Sequence, residues 1–144
     1  MLVLYAKDIV DGDFISMPRT ATALEAAKVM KERRHGYVVV AGSDGTPEGI
    51  VTEWDYVSRL VAEGRDPATT RLEEIMTTDL VKVDASEGLD NVAQLMSDRM
   101  IRRVLVVEKG KVLGIITART MLGNLKQYVD RVSTQVARLQ GPTF

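Results

Sequence analysis

The spacing of apolar positions divides the chain into segments with strand and helix character. Residues 14–17 form a short extended segment before Pro18, and residues 22–34 have apolar positions at helical spacing, with Thr20 or Thr22 suited to cap the N-terminus. The predicted inward face of this helix consists of Ala23, Ala26, Ala27 and Met30. Residues 37–41 form a continuous apolar run typical of a buried strand, and 48–51 return across a turn. Helical spacing then resumes over 53–63.

The same order of segments recurs later in the chain. Aligning Ile9 with Ile75 also aligns Asp13 with Asp79, and after one deleted residue in a turn Gly49 meets Gly114 and Thr52 meets Thr117. The second copy comprises an extended segment at 80–83, a helix at 88–100, and strands at 104–107 and 111–116. The predicted inward face of its helix consists of Leu89, Val92, Ala93 and Met96. So many matches in one register indicate an internal duplication.

The fold predicted from this duplication is α/β (α+β), with two β-α-β-β-α repeats and a long C-terminal helix. The first repeat covers residues 1–63, a linker covers 64–72, and the second repeat covers 73–128. Neither half, at about 60 residues, would bury enough apolar surface comfortably alone. The two copies are therefore expected to pack sheet to sheet around one core.

The C-terminal segment departs from the repeat, because helical spacing continues from 118 to 140 with no stop signal before Gly141. Its apolar residues alternate in steps of three and four, which is a heptad pattern. They are Leu122, Leu125, Val129, Val132, Val136 and Leu139. The helix is expected either to fold back over its own domain or to pack against a second copy or a partner protein.

Composition excludes several classes of function. A net charge of −1 over 144 residues gives no reason to expect nucleic acid or an anionic membrane as partner. The absence of cysteine excludes disulfides, thiolate catalysis and cysteine-bound metal, and a single histidine, His35, cannot build a histidine-rich metal site. No apolar run approaches the roughly 20 residues that span a bilayer. The sequence predicts a soluble, cytoplasmic protein.

The most distinctive motif is a glycine, two β-branched apolar residues and a threonine, followed by helical spacing. It occurs at residues 49–55, where Asp55 lies three positions after Thr52, and again at 114–120. A hydroxyl at the start of a helix can cap the helix, or it can face a phosphate together with free backbone N–H groups. Thr117 repeats the hydroxyl but Thr120 replaces the acid, so capping does not require Asp55.

These motifs resemble those of a tandem pair of cystathionine-β-synthase-type domains, called a CBS pair or Bateman module. The resemblance covers roughly residues 6–128 and lies in the run at 49–55, the Glu-Ile-Met-Thr run at 74–77, and the run at 101–107. It implies that the two repeats associate about a pseudo-two-fold axis and leave two equivalent clefts for adenosine nucleotides or related ligands.

The resemblance also implies roles for the residues of the main cleft. Asp55 would hold the ribose hydroxyls and Thr52 would lie near phosphate, with Ile50 and Trp54 beside them. Leu80 and Val81 match positions that contact adenine, and Arg102 and Arg103 match a phosphate-binding pair. The ligand is expected to be AMP, ADP or ATP, while S-adenosylmethionine shares the same adenosine.

The second cleft would use Thr117 and Thr120 with Phe14, Ile15, Gly36 and Tyr37. Here the chain departs from the family pattern, because Thr120 replaces the ribose-binding acid and Gly36 and Tyr37 replace the arginines. This cleft is expected to be empty or to hold a ligand with less charge.

The sequence shows no nucleophile and base pair, no acid dyad and no metal cluster, so a stand-alone regulatory module is expected and not an enzyme. It would sense cellular energy by binding adenine nucleotide without a cofactor, form a homodimer, and act on a partner protein that the sequence does not name. One rival interpretation is a ligand-free scaffold that dimerises through its helices. The other is a weak nucleic-acid-binding module using Arg102 and Arg103.

Overall fold

The computed structural model describes residues 4–139, which form two sheets flanked by helices. The helices are α1 (Ala6–Ile9), α2 (Ala23–Arg33), α3 (Glu53–Asp55, continued by a π-helix over Tyr56–Val61), α4 (Leu72–Ile75), α5 (Leu89–Arg99) and α6 (Ala118–Leu139). The strands are β1 (Ser16–Met17), β2 (Tyr37–Ala41), β3 (Pro47–Thr52), β4 (Lys82–Asp84), β5 (Arg103–Glu108) and β6 (Lys111–Thr117). Residues 1–3 of the predicted first repeat and residue 140 of the predicted last helix lie outside this description.

The two sheets have the same topology, which confirms the duplicated architecture. In each sheet the first strand is parallel to the second and the second pairs antiparallel with the third. The registers correspond as well, because Val39 pairs with Ile50 in one sheet and Leu105 pairs with Ile115 in the other.

The central strands of the two sheets, β2 and β5, explain how each repeat packs on the other. Side chains alternate between the two faces of a strand. In β2, Val38 and Val40 enter the core of the first repeat, whereas Tyr37, Val39 and Ala41 face a separate cluster that also contains Leu105 and Ile115 of the second repeat. Both faces of β2 are therefore buried, as its continuous apolar run predicts.

The segment before each repeat crosses to the other repeat. Helix α1 buries Ala6 in the core of the second repeat, and α4 buries Leu72 and Ile75 in the core of the first. After each crossover the backbone pairs with a β-strand, so that Asp11 bonds to Ile115 and Thr77 bonds to Ile50. The repeats are interleaved, and corresponding residues make the pairings on both sides of the pseudo-two-fold axis.

Some details differ from the sequence prediction. Thr22 is the N-cap of α2 and forms a capping box with Glu25, which settles the choice between Thr20 and Thr22. Ala93 is exposed, contrary to its predicted inward position, and Leu95 packs against the core instead. Strand β4 begins at Lys82 and not at residue 80. Before the strand pairing starts, Leu80 packs in the cluster between the repeats and Val81 packs against the core of the second repeat.

Helix α6 has no buried residue along its 22 positions. Its first turns contact β6 and α1, but the heptad residues remain open to solvent, with Leu122 70% and Leu139 84% exposed. Ala118 and Met121 at its start pack on the core of the second repeat, but the rest of the helix does not fold back over its own domain. None of the helices in residues 4–139 combines the length and apolar character needed to cross a bilayer.

Candidate functional site

A cavity of about 280 Å³ lies between the two repeats, at the end of β3. Ile50 and Thr52 of the first repeat line one side. Leu80, Val81, Arg102 and Arg103 of the second repeat line the other. The structure thus brings together six of the eight residues predicted for the main cleft, and it combines apolar side chains with an arginine pair.

Several residues of this main cleft were not among those predicted. Thr77, Asp79, Met100 and Ile101 also line it. Thr77 is the last residue of the motif at 74–77, and it enters the cleft because its backbone pairs with Ile50 through bonds of 2.8 and 3.0 Å. The motif itself was visible in the sequence, but the crossover that carries it to the other repeat's strand was not.

The carboxylate of Asp55 lies behind the cleft wall and does not line the cavity. It is 4% exposed and accepts hydrogen bonds from the Thr52 backbone N–H at 2.8 Å and from the Thr77 hydroxyl at 3.2 Å. The Thr52 hydroxyl, at 3.3 Å, and Arg59, at 3.7 Å, are its other neighbours. Asp55 therefore joins the two threonines that do face the cavity.

Two further expectations about this region are changed by the geometry. Trp54 is 70% exposed and does not line the cleft. The backbone N–H of Glu53, the first residue of α3, donates to the Gly36 carbonyl at 3.1 Å and is not free for a phosphate. Positive charge in the main cleft comes instead from Arg102 and Arg103.

A second cavity, of about 450 Å³, lies across the pseudo-two-fold axis. Thr117, Thr120, Gly36 and Tyr37 line it, as predicted. The Thr117 hydroxyl accepts the Thr120 backbone N–H at 3.0 Å, and the two hydroxyls lie 2.8 Å apart. The hydroxyl cap of the motif is thus present in the second repeat without an acid.

The predicted apolar wall of the second cleft is absent. Ile15 is only 3% exposed and belongs to the core of the first repeat, while Phe14 packs in the cluster between the repeats. Neither lines the cavity. Leu80 and Val81 precede β4 in the same way and do line the main cleft, so the two clefts differ in how these side chains pack and not in where the strands begin.

The second cleft is also far more positive than the sequence indicated. Arg34, Arg102, Arg103 and Arg119 line it against one acid, Asp11. The second repeat's arginine pair reaches this cavity because the Arg103 guanidinium lies over the Tyr37 ring, 5.4 Å from its centre. Burial and the nearby Asp11 carboxylate raise the pKa of the Tyr37 phenol, so the ring stays neutral beside the arginine.

His35 also lines the second cleft and stacks on Tyr37, with ring centres 5.8 Å apart. Its Nδ1 is buried without a hydrogen-bond partner among the described residues. Within residues 4–139, no group of three or more histidines and carboxylates is arranged to hold a metal ion.

Comparison with known proteins agrees with this architecture. The family model described as CBS domain matches residues 6–62 and 72–127. The CBS domain-containing protein YhcV of Bacillus subtilis is 31% identical over 131 residues, covering 91% of this chain and 88% of YhcV.

Two solved structures illustrate the likeness. The CBS domain pair of protein MJ0100, in complex with 5′-methylthioadenosine and S-adenosyl-L-methionine, is 27% identical with a TM-score of 0.76, covering 88% of this chain and 98% of that one. The hexameric CBS-CP12 protein from bloom-forming cyanobacteria is 36% identical with a TM-score of 0.74, covering 83% and 70%. With two matched domains over most of its length and the interleaved repeats described above, the chain belongs to the CBS domain family.

Proposed function

We propose that the main cleft binds an adenosine nucleotide and that the protein is a regulatory module that senses it. CBS domain pairs are regulatory modules that bind adenosine ligands. The observation that carries the proposal for this chain is the lining of the main cleft, where apolar side chains suited to adenine lie beside an arginine pair suited to phosphate.

The arginine pair favours AMP, ADP or ATP over S-adenosylmethionine. Arg102 and Arg103 both line the cleft, and neither has a carboxylate within ion-pair distance among the described residues. Phosphate oxygens match the planar, double-donor geometry of a guanidinium group. The positively charged sulfonium of S-adenosylmethionine would instead be repelled by the same pair, which outnumbers Asp79, the one carboxylate that the described residues contribute to the lining.

Two threonines supply the polar contacts between the apolar wall and the arginine pair of the main cleft. Thr52 and Thr77 line the cavity, and both of their hydroxyls donate to the Asp55 carboxylate. In the proposed complex the ribose hydroxyls take the place of the Thr77 hydroxyl on the Asp55 carboxylate. A carboxylate with two oxygens can accept several hydrogen bonds at once, which suits a pair of neighbouring hydroxyls.

Calorimetric titration with AMP, ADP and ATP tests the proposal. Replacing Arg102 with alanine is expected to weaken AMP binding by about tenfold or more. Arg99→Ala is the matched control, because Arg99 is an exposed arginine three residues earlier, in the last turn of α5, and does not line the cleft. Its AMP affinity should stay within about twofold of the parent protein. The absence of binding by any adenosine compound would contradict the proposal.

We also infer that α6 joins two copies of the chain. Its heptad places Leu122, Val129 and Val136 at one core position and Leu125, Val132 and Leu139 at the other. Valine predominates at the first position and leucine at the second, which favours two parallel helices. The heptad positions beside this core carry Tyr128, Lys126, Ser133 and Gln135. Two parallel α6 helices would therefore bring no like charges together. Nucleotide binding would then alter how the dimer presents its helices to a regulated protein.

The same exposed seam supports a second candidate function, a scaffold that dimerises without a ligand. In that case α6 would be the active surface and the clefts would be vestigial. The titration above separates the two functions, because only the sensor binds AMP through the arginine pair.

A further inference from the structure

We propose that the second cleft binds a compact anion carrying two or more phosphate groups, and that this anion competes with the main-cleft nucleotide for Arg102 and Arg103. The site itself stands independently of adenosine binding. Only the competition depends on the proposed function of the main cleft.

The two clefts are built for different ligands although the repeats are related. Leu80 and Val81 form an apolar wall of the main cleft, whereas the corresponding residues Phe14 and Ile15 do not line the second cleft, and Ile15 is buried in the core of the first repeat. The second cleft also has Thr120 where the main cleft has Asp55 behind its wall, and the Thr120 hydroxyl is already paired with Thr117. Features that would hold adenine and ribose are therefore missing from the second cleft.

What the second cleft has instead is positive charge. Four arginines and one aspartate line it. None of Arg34, Arg102, Arg103 and Arg119 forms an ion pair with a carboxylate in residues 4–139. At the edge of the cavity the Glu53 carboxylate and the Arg103 guanidinium both approach Gly36 without forming an ion pair, and Glu53 is not part of the lining. Four cations gathered around one open space repel each other, and an anion between them would relieve that repulsion.

The number and type of these cations indicate the class of anion. Arginine binds phosphate oxygens through two parallel N–H donors, so several guanidinium groups can hold more than one phosphate group. The cavity, at about 450 Å³, has room for a short phosphate chain. A monovalent carboxylate would leave most of the positive charge uncompensated.

Competition follows from the shared wall between the clefts. Arg102 and Arg103 line both cavities, and Arg103 rests on Tyr37, which belongs to the second cleft. A phosphate in the main cleft draws these guanidinium groups toward itself, so fewer donors remain for the second anion. Linkage requires the effect to be mutual.

Equilibrium dialysis of the whole 144-residue chain with inorganic tripolyphosphate tests the site. The expected result is saturable binding that falls by about tenfold or more when Arg34 and Arg119 are both replaced by glutamine. The matched control replaces Arg99 and Arg138 by glutamine, which removes the same charge from exposed helix positions outside the cleft. AMP binding is measured on every variant, and in the Arg34→Gln, Arg119→Gln variant it should stay within about threefold of the parent.

A second set of measurements tests the competition. Saturating AMP should weaken tripolyphosphate binding at least threefold, whereas adenosine, which has no phosphate, should leave it unchanged. Tripolyphosphate that does not bind, or that binds equally well to the Arg34→Gln, Arg119→Gln variant and to its control, would overturn the site. ATP that displaces the probe a hundredfold better than tripolyphosphate would show that the cleft is made for a nucleotide. Loss of AMP binding alone would count against the main-cleft proposal and leave this site standing.

Discussion

At the scale of single residues, Asp55 links the fold to the proposed ligand. Its buried carboxylate holds the Thr52 backbone at the start of α3 and the Thr77 hydroxyl of the crossover segment. Replacing it with alanine removes these bonds and leaves the Thr77 hydroxyl without its partner. We expect a loss of about 1–3 kcal/mol in the free energy of unfolding, measured in urea, and AMP binding weakened about tenfold or more by calorimetry.

A control separates these two effects of Asp55→Ala. Thr22→Ala removes the capping box of α2, where Thr22 and Glu25 exchange bonds of 3.0 and 3.1 Å away from both clefts. It should cost about 1 kcal/mol of stability with AMP affinity unchanged. Wild-type AMP affinity in the Asp55→Ala protein would show that the carboxylate has no part in binding.

Tyr56 gives a prediction about pH. Its hydroxyl donates to the Ala23 carbonyl at 2.7 Å, and burial raises its pKa from 10.0 to about 12. Because the folded state holds this proton more tightly than the unfolded chain does, the stabilisation is complete below about pH 10 and is lost as the pH rises toward 12. Tyr56→Phe should lower stability by about 1 kcal/mol at pH 7. In urea unfolding at pH 11 the difference should shrink, and an unchanged difference would refute this account.

At the scale of elements, the glycine of the repeated motif is explained by the crossover segments. A Cβ on Gly114 would collide with the backbone oxygen of Asp11, which pairs with Ile115. A Cβ on Gly49 would instead meet the Met76 Sδ at 2.6 Å, the flexible end of a side chain, with the Thr77 backbone oxygen at 3.1 Å. The crossing segment therefore lies directly on each glycine.

This difference predicts unequal costs for matched substitutions. Gly114→Ala should destabilise the protein by about 1–3 kcal/mol, because backbone must move, and Gly49→Ala should cost less because Met76 can change its rotamer. Thermal or urea unfolding of the two variants measures the comparison. Equal stabilities would mean that the backbone at Asp11 moves as easily as the side chain of Met76.

The elements also show what could be predicted from the sequence. Strands β2, β3, β5 and β6 and helices α2 and α5 follow from long periodic runs, and the structure confirms them. Helices α1 and α4 were missed, because four residues are too few to display a helical period. Six residues of the main cleft could be found by resemblance. The positive charge of the second cleft could not be predicted, because Arg34 and Arg119 become neighbours of Arg103 only through the packing of the repeats.

At the scale of the whole molecule, the exposed seam of α6 predicts a dimer. Val129→Asp places a charge in the middle of the seam, where Val129 is 50% exposed and makes no core contact. Sedimentation should show a dimer for the parent protein and a monomer for this variant, with unfolding stability of the monomer little changed. Thr134→Asp is the control on the opposite side of the helix and should remain dimeric. A monomeric parent at tens of micromolar would contradict the dimer.

The interleaved repeats make the main cleft a shared property of both halves. Ile50 comes from one repeat and Leu80 and Val81 from the other, so a ligand between them contacts both repeats. Binding should therefore hold the repeats together and raise the free energy of unfolding with ligand concentration.

The most direct test of the central claim is methyl NMR of the labelled parent protein during titration with AMP. We predict saturable shifts for the methyl groups of Ile50, Leu80 and Val81, with a single affinity. The methyl groups of Leu24 and Val61, which are exposed and do not line the cleft, serve as internal references and should not move with the same affinity. Shifts confined to α6, or none at any methyl group of the main cleft, would contradict nucleotide binding between the repeats.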